Sequence, residues 1–223
     1  MKRTLEVCTA SIASVDEAVK GGAERIELCS ALELDGLTPS AGLAKYVHTT
    51  YPNLRIHALI RPRSGNFVYS PAELQVMLSD IEILRPIVHG IVSGALLPDG
   101  SIDRQSTTQL VNAAGSLPFT FHRAFDVCHA PRESLETLIE LGCTRVLTSG
   151  QQPTAEQGSQ LLSELVTQSG GRIIILPGGG VNASNAVSIL NTTGAIEIHG
   201  SARNGSSETD SHEVAKLLES INA

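Results

Sequence analysis

The chain has 223 residues, 41% of them hydrophobic, which suits one large domain with a sizeable core. Aromatic residues are only 3%, Trp is absent and the formal net charge is −7, so base-stacking platforms are not expected and neither nucleic acid nor an anionic membrane is the expected partner. Four cysteines are too few for a disulfide scaffold, no apolar run reaches the roughly 18 residues of a membrane span, and the N-terminus enters a strand without a signal peptide, so a reducing cytoplasm is the expected location.

Strand-like and helix-like segments alternate along the chain. Leu5–Cys8 reads as a strand, and Ser14 precedes a helical stretch, Val15–Lys20, ended by Gly21-Gly22. Arg25–Cys29 is the second strand, and Ser40 caps a helix to about His48. Arg55–Ile60 and Pro71–Leu84 form the third pair, Gly90–Ser93 and Asp103–Ala114 the fourth. Phe119–His122 is followed by a helix that starts at Pro131 and ends near Gly142. Arg145–Thr148 leads to a helix over Thr154–Thr167. Ile173–Leu176 runs into Pro177 and three glycines, with Asn182 or Ser184 capping a helix from about Ala183. Ile196–His199 and Ser211–Ile221 close the chain.

Eight β-then-α units imply a parallel sheet with helical crossovers, either a closed barrel or a doubly wound sheet. A local echo favours the TIM (β/α)8 barrel: Gly22-Ala-Glu-Arg25 resembles Gly142-Cys-Thr-Arg145, four units apart. No linker interrupts the pattern, so residues 1–223 form one domain.

Side chains alternate faces along a strand. With Leu5, Val7, Ile26, Leu28, Ile196 and Ile198 facing the helices, Glu6, Cys8, Glu27, Cys29, Glu197 and His199 point inward, toward the C-terminal rim. Inward carboxylates need partners, and Arg61, Arg63, Arg123 and Arg203 follow the strands and are available. The fifth strand adds His122 and Asp126 at its end. In a barrel enzyme such strand ends carry the site. Gly178, Gly179 and Gly180, with Ser201 and Arg203, are placed to hold an anion.

Cys8 and Cys29 occupy matching places on adjacent strands about 4.8 Å apart. They could share a soft metal ion, or serve as small buried hydrophobes. Thiolates select copper(I), which two ligands suit, whereas zinc normally takes four. Cys128 follows the fifth strand and could reach the rim. Cys143 lies in a turn at the opposite face.

The blocks EVCTASIAS (Glu6–Ser14), GGAERIELC (Gly21–Cys29), GLTPS (Gly36–Ser40), IRPRSGNFVYS (Ile60–Ser70), TFHRAFD (Thr120–Asp126), LTSGQ (Leu147–Gln151), PGGGV (Pro177–Val181) and HGSAR (His199–Arg203) resemble signatures of the CutC family. The resemblance covers nearly the whole chain. It implies a TIM barrel, a cytoplasmic location, homo-oligomeric assembly and a role in copper homeostasis, with the family's copper(I) thiolates falling on Cys8 and Cys29. Asn66 stands where the family usually has Asp, and Asp35 where it usually has Gly.

A copper binder needs the two thiols but not the other polar groups. The alternative is a barrel enzyme of the lyase, isomerase or epimerase class, acting on a small anionic or phosphorylated metabolite. In that reading His122, or one of Glu6, Glu27 and Glu197, is the general acid/base, Arg61 and Arg123 stabilise an enolate or oxyanion, and Asp126 and His199 complete the site. No organic cofactor is expected, and no Schiff base, since Lys2, Lys20, Lys45 and Lys216 lie away from strand ends. A pure assembly module ranks last, because it leaves the inward polar residues unexplained.

Overall fold

Short β-branched runs alternate with capped amphipathic stretches, and the computed structural model describes residues 3–223. β1 (Thr4–Thr9) leads to α1 (Ile12–Lys20), β2 (Arg25–Leu28) to α2 (Ala41–Thr50), β3 (Arg55–Leu59) to α3 (Pro71–Leu84), and β4 (Gly90–Ser93) to α4 (Arg104–Ala114). The second half repeats the unit: β5 (Phe119–Phe121), α5 (Pro131–Glu140), β6 (Arg145–Thr148), α6 (Ser159–Ser169), β7 (Ile174–Pro177), α7 (Ala186–Thr193), β8 (Glu197–Gly200) and α8 (Ser211–Asn222).

Each strand pairs in parallel with its neighbour in sequence, and β1 pairs with β8 through Glu6↔His199. A parallel bridge between Gly178 and His199 joins β7 to β8. The first strand therefore meets the last, and the fold is a (β/α)8 barrel rather than a doubly wound sheet. The main core lies between strands and helices and includes Leu5, Val7, Ile26, Leu28, Ile56 and Ile198. A separate small cluster of Cys8, Cys29, Leu59 and Val92 sits inside the barrel, as alternation requires.

Helix starts follow local chemistry. Ser40 accepts from the Leu43 amide as expected, and Ser70 with Glu73 forms a capping box ahead of Pro71. Three starts differ from expectation. α1 is capped by Ser11, which accepts from the Ser14 amide; Ser14 lies in the first turn and donates instead to Glu208. α6 begins at Ser159, because Gly158 is pressed against the end of β6, where a Cβ would fall 1.9 Å from the Ser149 carbonyl oxygen. α7 begins at Ala186, because Asn182 and Asn185 fold the chain into side-chain-bonded turns first: Asn182 accepts from the Ser184 amide and Asn185 from the Asn182 amide.

Candidate functional site

The barrel interior is layered. At the N-terminal end, Glu197 opens β8 and receives Arg25 Nη2 and, at 2.8 Å, Arg145 Nε. The two arginines open β2 and β6, so the sequence echo around Gly22 and Gly142 is a structural equivalence whose two copies meet on one carboxylate. One layer up, Glu6 is fully buried. Arg25 Nε and His57 Nδ1 each lie 2.9 Å from its Oε2, and His199 Nδ1 lies 3.0 Å from Oε1. Burial alone would raise the Glu6 pKa, but hydrogen bonds from His199 and His57 and the charge of Arg25 hold it well below the usual carboxylate range. Glu197 is likewise lowered: Arg145 and Arg25 outweigh its burial.

The upper layer carries the thiols. Cys8 Sγ lies 3.9 Å from Cys29 Sγ, and Cys29 is 0% exposed. His199 Nε2 reaches to 3.7 Å from Glu27 Oε2. Donor atoms of Cys8, Glu27 and His199 all fall within 4.8 Å of one another. The register explains this: Cys8 is level with Glu27, and Glu6 with His199. Burial disfavours a charged His199, yet hydrogen bonds with Cys8 and Glu6 and the charge of Glu27 raise its pKa well above the imidazole value. The Cys8 thiol is raised by its contact with Cys29, by burial and by Glu27. Burial also raises Glu27, against the charge of His199.

Above this layer opens a cavity of about 450 Å³, lined among others by Cys8, Glu27, Arg61, His122, Asp126 and His199. Arg123 Nε donates to Asp126 Oδ2 at 2.7 Å, and Asp126 Oδ1 accepts from the Ser149 amide at 2.9 Å. Burial and the Arg61 charge push the His122 pKa down to about 3, so its imidazole is neutral.

The cavity thus gathers Glu27, Arg61, His122, Arg123, Asp126, His199 and Cys8. Glu6 lies beneath it, Cys29 is buried beside Cys8 and Glu197 lies at the floor, all three outside its lining. Gly178 is committed to the barrel, donating its amide to the Thr148 carbonyl, and Gly179 faces Arg123, whose Cζ would stand 3.7 Å from a Cβ there. The Gly180 carbonyl accepts from the side-chain Nδ2 groups of Asn182 and Asn185, the Ser201 carbonyl accepts from Thr209, and Arg203 Nε is buried without a hydrogen-bond partner. None of these five lines the cavity. Cys128 packs in the outer core, 3.7 Å from Gln151 Nε2, rather than at the rim.

The arginines expected to neutralise the inward carboxylates do not. Arg61 is held by main-chain carbonyls, Arg63 pairs with Glu73 and Arg123 with Asp126, since all three lie past the last residues of their strands. Arg25, Arg145 and His57 take that part. Their signal was present: Arg25 shares strand parity with Glu27, and His57 alternates with apolar Ile56 and Ala58. Asp35, where the family usually has Gly, has φ +63°, a conformation that glycine adopts freely and Asp tolerates. Asn66 accepts from Arg63 and lies outside the cavity.

The CutC family model matches residues 3–204. The chain belongs to the CutC family. A CutC family protein of Parabacteroides distasonis is 50% identical over 204 residues, covering 91% of this chain and 84% of that protein. The human copper homeostasis protein cutC homolog is 45% identical over 200 residues, covering 89% and 73%. The crystal structure of a CutC protein from Streptococcus agalactiae superposes with a TM-score of 0.85 at 33% identity, covering 89% of this chain and 98% of the other. Within this CutC chain the described residues include no helix long and apolar enough to cross a membrane.

Proposed function

We propose that this chain is a cytoplasmic copper homeostasis protein that binds copper(I) through Cys8 and Cys29. The observation that carries this reading is the thiol pair, 3.9 Å apart inside the barrel and reached from the cavity through Cys8. Soft sulfur donors suit copper(I) over harder cations. Bonds of about 2.3 Å, the usual zinc–thiolate length, would make a bent rather than linear bridge between sulfurs at this separation. Bent coordination leaves room for a third donor, and Glu27 and His199 are the groups beside Cys8. The name of the human relative supports the same role. The four cysteines are all free, as a reducing compartment requires. Homo-oligomeric assembly belongs to the same reading.

The test is an anaerobic copper(I) titration against a chromophoric competitor. Binding of one ion per chain, strongly weakened in both Cys8→Ser and Cys29→Ser, is expected; unchanged affinity in both variants would refute the assignment.

A further inference from the structure

The copper reading leaves the upper wall of the cavity unused, and two buried donors there have no partner. Arg61 is 3% exposed, and the hydrogen bonds it makes go to main-chain carbonyls: Leu34, Asp35 and Gly36 accept from Nη1, and Gly65 from Nη2. A guanidinium has five N–H donors, and Nε is left buried without an acceptor. His122 is 5% exposed. Its Nδ1 accepts from the Ala124 amide at 3.2 Å, which places the proton on Nε2, and Nε2 is buried without an acceptor. Both side chains pack on one ring: Arg61 Cζ is 5.0 Å from the Phe67 centroid, and the His122 ring is 4.9 Å from it. Arg61, Phe67 and His122 all line the cavity.

A buried N–H without an acceptor costs about 1–3 kcal/mol, so two on one wall mark a place for acceptor oxygens. Charge narrows the class. Arg123 is neutralised by Asp126, while Arg61 is held by main-chain carbonyls and lies beside the neutral Tyr69 hydroxyl, so the wall offers one positive charge without a carboxylate partner and one neutral donor. Glu27, Asp35 and Asp126 stand on the other sides and oppose a dianion, while Leu32, Leu59 and Leu147 offer apolar surface.

We propose that the cavity binds a small organic monocarboxylate, with its oxygens taken by Arg61 Nε and His122 Nε2. The low His122 pKa of about 3 agrees, because the ring stays a neutral donor across physiological pH. The two donors are not among the copper ligands proposed above, although Cys8 lines the same cavity, and the contact needs no metal.

The experiment uses the metal-free full-length chain with millimolar pyruvate, propionate or inorganic phosphate. Calorimetry gives affinity, and ¹⁵N-edited NMR follows the His122 Nε2–H resonance. The carboxylates are expected to bind and to shift that resonance, with phosphate weaker. His122→Phe should weaken carboxylate binding about tenfold or more, and Arg61→Lys, which keeps the charge but loses Nε, should do the same. Absence of carboxylate binding, a stronger response to phosphate, or an unmoved His122 resonance in the wild type would overturn the proposal, even if a variant failed to fold.

Discussion

His199 Nδ1 lies 3.0 Å from Glu6 Oε1, while the other oxygen of the same carboxylate faces His57 and Arg25, each at 2.9 Å. Glu6 is thus the anion around which strands β1, β2, β3 and β8 are tied. Removing one member of a buried charge network leaves the others uncompensated and costs about 3–5 kcal/mol. Urea unfolding of Glu6→Gln should show a loss of about that size. The depressed folded-state pKa of Glu6 fixes the sign with pH. Its contribution is present above the unfolded carboxylate range and is lost as pH falls toward the folded value.

Arg25 and Arg145 share Glu197, so their effects should not add to those of Glu197. Arg145→Met is expected to cost about 3 kcal/mol in the wild type. In a Glu197→Gln background the same change should cost less by at least about 1 kcal/mol. A double-mutant cycle by denaturant unfolding measures this, and additive losses would show that the pair does not interact.

His122 gives a second pH dependence. Its folded pKa of about 3 lies below the unfolded imidazole value, so below about pH 6.5 the unfolded chain takes up a proton that the folded chain refuses. Stability therefore falls as pH drops through that window. Between pH 7 and pH 5 the wild type should lose about 2 kcal/mol more than His122→Gln does, read from unfolding curves at both values.

Gly90 is required by its neighbour. A Cβ there would stand 2.6 Å from His57 Cδ2 and would push the ring away from Glu6. Gly90→Ala should destabilise the chain by about 1–3 kcal/mol, and the His57 imidazole resonances should shift in NMR spectra.

Much of this interior was legible in the sequence. Strand alternation placed Glu6, Cys8, Glu27, Cys29, Glu197 and His199 inside, because the period of two is a property of the strand itself. Alternation gives the side of the sheet but not the height in the barrel. It therefore did not separate Glu197, at the floor, from Glu27, in the cavity. The cationic partners were misassigned for a related reason. Arg61 and Arg63 follow β3 closely in sequence but lie beyond its last residue, and a loop with Asp35 in the left-handed region aims three carbonyls at Arg61. The start of α7 was displaced because Asn182 and Asn185 bond to nearby main chain, and that competition depends on rotamers.

The central claim is that Cys8 and Cys29 together hold copper(I). X-ray absorption at the copper edge, on chain loaded anaerobically with one equivalent, tests it most directly. Two sulfur neighbours near about 2.3 Å with one nitrogen or oxygen donor are predicted, falling to a single sulfur in Cys29→Ser. A shell built from nitrogen and oxygen alone, or one unchanged by that substitution, would contradict it.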